Sequence, residues 1–381
     1  MLKKRIVAFC LSLFLIFPMF VVNTHALSGE ELSSPSAVLM EPHSKKILFE
    51  KNPHEQRACA SITKVMTLLL IMEAIEEGAI SYSDVVTTSE HAKSMGGSDI
   101  WLEVGEQMTV DEMIKATAVA SANDAAVALA EHLCGSESDF VGLMNERAKE
   151  LGMENTVFKN CNGLDEEGHI TTAYDVALMS VELMKHEKIY DYTTIWIDTL
   201  RGGETQIVNT NKLLKSYDGI TGLKTGTTGD AGSCISATAK RNNMSLCAVV
   251  LGATTGTDRF KDAAQLLDYG FANYEVLEFN AQENDLTEIE VKNGMKKTVK
   301  IECRGASDMV VTKGSSKKIE QSVKLDEFAK APVKKGQKVG TLTFTLDKEK
   351  VQSFDIITTE SVEQMSFSAV LNVLFCALFT M

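Results

Sequence analysis

Short apolar runs at Ala37-Val38-Leu39-Met40 and Ile47-Leu48-Phe49 flank the polar Pro42-His43-Ser44-Lys45, which predicts two strands around a turn. From Ser61 to Glu77 the period changes: Val65, Leu68, Leu69 and Met72 recur at three- and four-residue steps, and Gly78 suits the end of a helix. Thr109-Val110-Asp111-Glu112 has the form of a capping box and opens a second helix running to Ser121. Asn123-Asp124 starts an Ala-rich third helix to about His132, and residues 137–190 stay helical apart from a loop at Asn160-Cys161-Asn162-Gly163. Near residue 222 the pattern becomes strand-like at Leu223–Thr227, Cys234–Ala239 and Ser245–Gly252, with Arg241-Asn242-Asn243 as a turn. Phe260 to Tyr274 reads as one closing helix. Beyond Glu278 the alternations Ile289-Glu290-Val291, Val299-Lys300-Ile301 and Val339 to Leu346, punctuated by glycines, predict a small sandwich-like β domain.

The two ends add segments of another kind. Lys3, Lys4 and Arg5 precede an apolar run from Ile6 to Val22, and Thr24-His25-Ala26 places small residues where a leader would be cut. Gln364 to Met381 carries no charged side chain. As a helix it would extend about 27 Å, marginal against a hydrocarbon core of about 30 Å. Its more polar positions, Ser368, Asn372, Cys376 and Thr380, recur every fourth residue, which suits a helix lying in a membrane interface. The expected division is a signal peptide at 1–26, a catalytic domain at 27–277, a C-terminal β-rich domain at 278–362 and a membrane-associating helix at 363–381.

Composition narrows the class of protein. Apolar residues make up 44% and charged residues 24% of the 381, which is ordinary globular usage and excludes a disordered or low-complexity chain. The net charge of −14 gives no basic footprint for nucleic acid. Outside the two ends there are six cysteines (Cys59, Cys134, Cys161, Cys234, Cys247 and Cys303), with no C-x-x-C among them, and free, mostly buried thiols are expected.

The candidate chemistry begins with Ser61-Ile62-Thr63-Lys64. Ser and Lys three apart on a helix share one face. A serine hydroxyl needs an adjacent base, and a lysine serves as one only when burial or another cation keeps it neutral. A second copy, Ser315-Ser316-Lys317-Lys318, falls in a polar turn of the β domain and reads as a solvated loop. Ser121-Ala122-Asn123 lies between two helices, where both polar residues could equally be caps. Lys224-Thr225-Gly226 lies within a predicted strand, where the glycine permits close approach to the backbone. H-E-x-x-H and G-x-S-x-G are absent, and Gly222-Leu223-Lys224-Thr225 lacks the glycine spacing of a phosphate loop.

The three motifs in this order resemble those of penicillin-binding proteins and class A β-lactamases. Residues 36–277 resemble the catalytic domain of the low-molecular-mass D-alanyl-D-alanine carboxypeptidases. The likeness extends to Ala60-Ser61-Ile62-Thr63-Lys64, Asn162-Gly163-Leu164-Asp165, Thr172-Ala173-Tyr174-Asp175, Asn209-Thr210-Asn211-Lys212-Leu213-Leu214, Asp218-Gly219 and Gly222-Leu223-Lys224-Thr225-Gly226. The chain departs from the family pattern at Ala122, at Cys59 and in the lack of a basic face on its tail.

The resemblance implies an α/β (α+β) fold: a β-lactamase-like domain with an antiparallel sheet flanked by helices, plus the all-β domain. It implies Ser61 as nucleophile, Lys64 as its base and Ser121 as proton relay. Asn123 would orient the substrate amide, and Lys224 and Thr225 would meet the terminal carboxylate. The backbone amides of Ser61 and Thr227 would form the oxyanion hole. No cofactor or metal is implied. The implied partners are peptidoglycan stem peptides ending in D-Ala-D-Ala, β-lactams as covalent inhibitors and a membrane surface, with the protein exported to the outer face of the cytoplasmic membrane. Repulsion from Lys224 is the expected reason for a neutral Lys64. Gly97-Ser98 reads as a turn near the cleft, which Asn162 could also line. Asp175 is expected as the capping-box partner of Thr172, Arg259 as structural and Trp101 as core. Alternatives in other classes are a β-lactamase, for which Glu166 and Glu167 lie in the relevant region, and a wall-binding or β-lactam-sensing module that acylates without turnover.

Overall fold

The computed structural model describes residues 27–277, 287–305, 308–315, 318–368, 370, 371 and 375. The expected leader and most of the expected tail helix lie outside the described residues. Among the described residues no helix is long and apolar enough to cross a membrane.

Strands β1 (Ser36–Met40) and β2 (Ile47–Lys51) form the predicted hairpin. Helix α1 (Lys64–Glu76) follows one 3-10 turn at Ala60–Thr63. A small ribbon of β3 (Val85–Thr87) and β4 (Gln107–Thr109) leads into α2 (Val110–Lys115), which opens on the predicted capping box of Thr109 and Glu112. The helix then widens into a π-turn at Ala116–Ala120, ending at Ser121. Helices α3 (Asn123–Cys134), α4 (Glu137–Leu151) and α5 (Ala173–Leu183) follow. A hairpin of β5 (Ile197–Leu200) and β6 (Thr205–Val208), which no sequence pattern predicts, precedes β7 (Ile220–Thr228), β8 (Gly232–Arg241), β9 (Met244–Ala253) and α6 (Gly256–Asn273).

The main sheet is antiparallel in the order β2-β1-β9-β8-β7. Alternate residues of its inner strands feed two cores. Val38, Met40, Cys247, Val249 and Leu251 join the helices α1 to α5, whereas Ala37, Leu39, Leu246, Ala248 and Val250 join α6. Burial on both faces explains why these strands read as continuous apolar runs rather than as alternations.

In the β-rich region, β10 (Tyr274–Leu277) extends from α6 and pairs with β13 (Met309–Thr312). A six-stranded sheet in the order β14-β16-β17-β12-β11-β15 is built from β11 (Glu288–Lys292), β12 (Thr298–Cys303), β14 (Ile319–Leu325), β15 (Ala329–Lys330), β16 (Lys338–Leu346) and β17 (Glu349–Thr358). It curls around its own core of Ile289, Val299, Ile301, Leu342, Phe344 and Ile356. Val310 of β13 instead packs into the α6 side of the main sheet.

Candidate active site

The site forms where the 3-10 turn before α1 meets the N-terminus of α3 and strand β7. The turn and the first residue of α1 put Ser61 and Lys64 on one face. Lys64 is completely buried, and its Nζ lies 3.1 Å from Ser61 Oγ, 2.5 Å from Asn123 Oδ1 and 2.6 Å from the carbonyl oxygen of Asn162. Burial lowers the Lys64 pKa to about 7, although the Cys161 thiol, Asp99 and Asp124 favour the cation. The partner set gives this neutrality a chemical meaning. Two of the three partners are carbonyl oxygens that can only accept. They consume both N–H bonds of a neutral amine, so its lone pair is left facing the Ser61 hydroxyl.

Asn123 is held as firmly as it holds. Its backbone N–H donates to Ser98 O at 2.6 Å and its Nδ2 donates to Gly96 O at 2.6 Å. Ser121 just before it is buried and takes a left-handed backbone conformation with φ 63°. Such geometry is uncommon for a residue with a side chain and recurs at functional sites. It follows from the π-turn, which inserts an extra residue before α3 starts afresh.

Strand β7 supplies the opposite wall. Lys224 is 1% exposed, and its Nζ donates to Thr225 O at 3.0 Å. Burial, then repulsion from Lys64 and Arg259, pushes its pKa well below the usual lysine value. Burial is thus the main cause at both lysines, and charge repulsion between them adds to the shift at Lys224. Thr225 Oγ1 donates to Thr210 Oγ1 at 2.6 Å. The Asn209–Leu214 segment is locked to β7 by Asn211 Nδ2 donating to Gly222 O at 3.0 Å.

Two glycines let the Ser61 turn be gripped from both sides. A Cβ on Gly226 would fall 2.8 Å from both Cys59 O and Ser61 N, and one on Gly163 would fall 2.0 Å from Ala60 O and 2.9 Å from Ser61 N. The Ser61 amide thus lies against the Gly226–Thr227 stretch of β7. A concavity of about 780 Å³ lies elsewhere, along Glu73, Glu76, Arg147, Glu182 and His186. Its charged groups are already paired with one another, and it contains none of the motif residues.

A family model described as D-alanyl-D-alanine carboxypeptidase matches residues 22–255, more than half of the chain, and the model of the penicillin-binding protein 5 C-terminal domain matches 274–364. The chain belongs to the D-alanyl-D-alanine carboxypeptidase family. It is 44% identical over 336 residues to the D-alanyl-D-alanine carboxypeptidase DacF of Bacillus subtilis, covering 87% of this chain and 86% of that one. Penicillin-binding protein 5 from Haemophilus influenzae superimposes with a TM-score of 0.80 at 29% identity, over 89% of this chain and all of that one. Penicillin-binding protein D2 from Listeria monocytogenes, in its ampicillin-bound form, gives a TM-score of 0.58 at 32% identity, over 63% of this chain and 98% of that one.

Within this carboxypeptidase fold, several residues differ from what their sequence context suggested. Trp101 is not core: it is 79% exposed. Arg259 is structural, as expected. Its Nη1 donates to Gly226 O at 2.7 Å and to Thr227 Oγ1 at 2.8 Å, so it braces the end of β7. Thr172 caps α5 through the Asp175 amide as expected, but the Asp175 carboxylate accepts instead from Asn155 N and Thr156 Oγ1. His169 carried no sequence signal, yet its Nε2 lies 2.8 Å from Thr63 Oγ1 while its Nδ1 accepts from Lys159 N. That acceptor role puts the proton of the neutral ring on Nε2, where it is donated to Thr63. Burial holds the ring neutral, lowering its pKa to about 4. All six cysteines among the described residues are free thiols; Cys59, Cys161, Cys234 and Cys247 are buried, and burial raises the pKa of each. Of the repeat Ser315–Lys318, Ser316 and Lys317 lie outside the described residues.

Proposed function

We propose that the protein is a serine-type D-alanyl-D-alanine carboxypeptidase that removes the terminal D-alanine of peptidoglycan pentapeptides. The observation that carries this reading is the Lys64 amine with both N–H bonds committed to carbonyl oxygens, 3.1 Å from Ser61 Oγ. Ser61 Oγ gives its proton to Lys64 and attacks the carbonyl between the two D-alanines. The backbone amides of Ser61 and Thr227 take the developing oxyanion, an effect worth about 3–4 kcal/mol per donor. Ser121 relays a proton to the departing amine. Asn123 orients the substrate amide, and Lys224 with Thr225 receives the terminal carboxylate, whose charge stabilises the cationic form of Lys224. Water then releases the acyl group. β-Lactams acylate the same serine. Deacylation through a carboxylate, as in a β-lactamase, is disfavoured because Glu166 is exposed and accepts a hydrogen bond from Asn160 Nδ2 at 3.1 Å. The fold's relatives and the leader-like first 26 residues support action on the cell-wall side of the membrane, with residues 363–381 as the membrane-associating element.

Ser61→Ala is expected to abolish both D-alanine release from a pentapeptide and covalent penicillin labelling, while Ser315→Ala changes neither. Full labelling of the Ser61→Ala protein would sink the assignment.

A further inference from the structure

The loop between β3 and β4 runs directly in front of the candidate site, and it carries an exposed indole that the steps above do not use. Trp101 is 79% exposed, yet the residues on either side, Ile100 and Leu102, are each only 2% exposed. Its backbone is left-handed, with φ 52°. For a bulky residue that conformation costs energy and persists only where the surroundings impose it.

The surroundings here are specific. The carboxylate of Asp124, itself 1% exposed, accepts from Ile100 N at 3.2 Å and from Leu102 N at 3.0 Å, one amide on each side of the indole. Asp124 directly follows Asn123, whose amide and side chain hold the same loop through Ser98 O and Gly96 O. One helix N-terminus therefore fixes both the Lys64 partner, Asn123, and the backbone on either side of the tryptophan. The turn that follows is tied down as well: Glu106 accepts from Arg201 Nε at 2.6 Å, joining this rim to the tip of the β5–β6 hairpin. A large apolar ring presented to water on a rigid mount does not add to folding through burial. It gives a partner a preorganised contact whose ordering cost has already been met.

We infer that Trp101 is a docking platform for the part of the substrate beyond its two reacting residues. The inference rests on the carboxypeptidase reading given above. In that reading the terminal carboxylate lies at Lys224 and Thr225 on β7. Trp101 is mounted on the opposite side, through Asp124, which directly follows the Asn123 that orients the substrate amide in that reading. The chemistry that suits an exposed indole is a flat apolar surface with polar edges, supplied either by the C–H face of a pyranose ring or by the aliphatic stem of a peptide side chain.

The test compares three substrates: a disaccharide-linked pentapeptide, the same pentapeptide free, and an N-acetylated tripeptide ending in D-alanyl-D-alanine. In Trp101→Ala the ratio of kcat/KM between the longest and the shortest substrate is expected to fall about fivefold to tenfold, with the change in KM, and Trp101→Tyr should keep most of it. A fall confined to the disaccharide-linked substrate assigns the platform to the sugar, and a fall shared by the free pentapeptide assigns it to the peptide. An unchanged ratio, or an equal loss on all three substrates, overturns the proposal. A second measurement leaves Trp101 in place. With Ser61→Ala and Trp196→Phe, Trp101 is the remaining tryptophan of the two in the chain, and its emission should move to the blue on binding the long substrate but not the tripeptide. Absence of that shift also overturns the proposal. A wild-type protein that releases no D-alanine from any of the three would instead refute the carboxypeptidase reading itself.

Discussion

In the proposed mechanism the chemistry turns on Lys64. A lysine in water titrates near 10.4, and here burial brings the value to about 7. If Lys64 is the base, as proposed, its working form is the neutral one, and acylation by a β-lactam should rise as pH increases through about 7 and level off above it. The apparent value belongs to the coupled pair of Lys64 and Lys224. Lys64→Arg places a group that stays protonated in the same cavity. Its acylation rate, followed by stopped-flow with a chromogenic β-lactam, is expected below a tenth of wild type, a barrier change above about 1.4 kcal/mol. Retention of more than that removes Lys64 from the role of base. The spacing Ser61–Lys64 is readable in the sequence because helix geometry maps residue spacing onto a face. That Asn123 and the Asn162 carbonyl take both protons of the amine is not, since those contacts join segments far apart in the chain. Trp101 departs from its expected core position for a related reason. The run Ile100-Trp101-Leu102 carries no period that says which side chain turns out, and only the structure shows Ile100 and Leu102 buried and Trp101 exposed.

Elements are placed here by close backbone approach, and glycine is where that shows. At Gly163, with φ 88°, a methyl group would fall 2.0 Å from Ala60 O, a backbone atom that cannot swing aside. Gly152 has nearly the same backbone, with φ 79°, but nothing lies within 4 Å of where its methyl group would point. Gly152→Ala should therefore cost about 1 kcal/mol in thermal unfolding and leave penicillin acylation unchanged. Gly163→Ala should displace the Ser61 turn and reduce acylation by at least tenfold. Equal acylation by the two variants would show that the grip on the turn is not needed. The strands of the main sheet and most helices are legible in the sequence, because long apolar runs and caps are local signals. The β5–β6 hairpin is not: each strand has four residues and buries one apolar side chain, Leu200 or Ile207, while Ile197 and Val208 are exposed, so no alternation marks it.

For the whole molecule, β13 of the β-rich region is sewn to the main-sheet domain. β10 leaves α6 and pairs with β13, Val310 joins the core that also holds Leu266 and Leu267, and Lys46 Nζ donates to Val310 O at 3.2 Å. All the motif residues precede β10. A chain ending at Leu277 should thus keep its β-lactam acylation rate yet melt about 5 °C lower, the loss of roughly one buried valine. A chain ending at Met365 retains the Met365 N to Asn293 O hydrogen bond and should melt like the full chain. It should also no longer sediment with membranes. Unchanged melting of the shorter chain would show that the β10–β13 seam contributes nothing, and continued sedimentation of the longer one would place membrane contact elsewhere.

The grip on the Ser61 turn also governs when the enzyme comes alive. Gly163 and Gly226 arrive late from the ribosome relative to the serine they enclose, and Asn123 and Asn162 must both be home before the amine loses its choice of partners. A half-folded chain carries the serine and the lysine side by side on a nascent helix, but in water that lysine remains an ordinary cation and the serine an ordinary alcohol. The proposed hydrolytic competence is thus an emergent property of the closed topology.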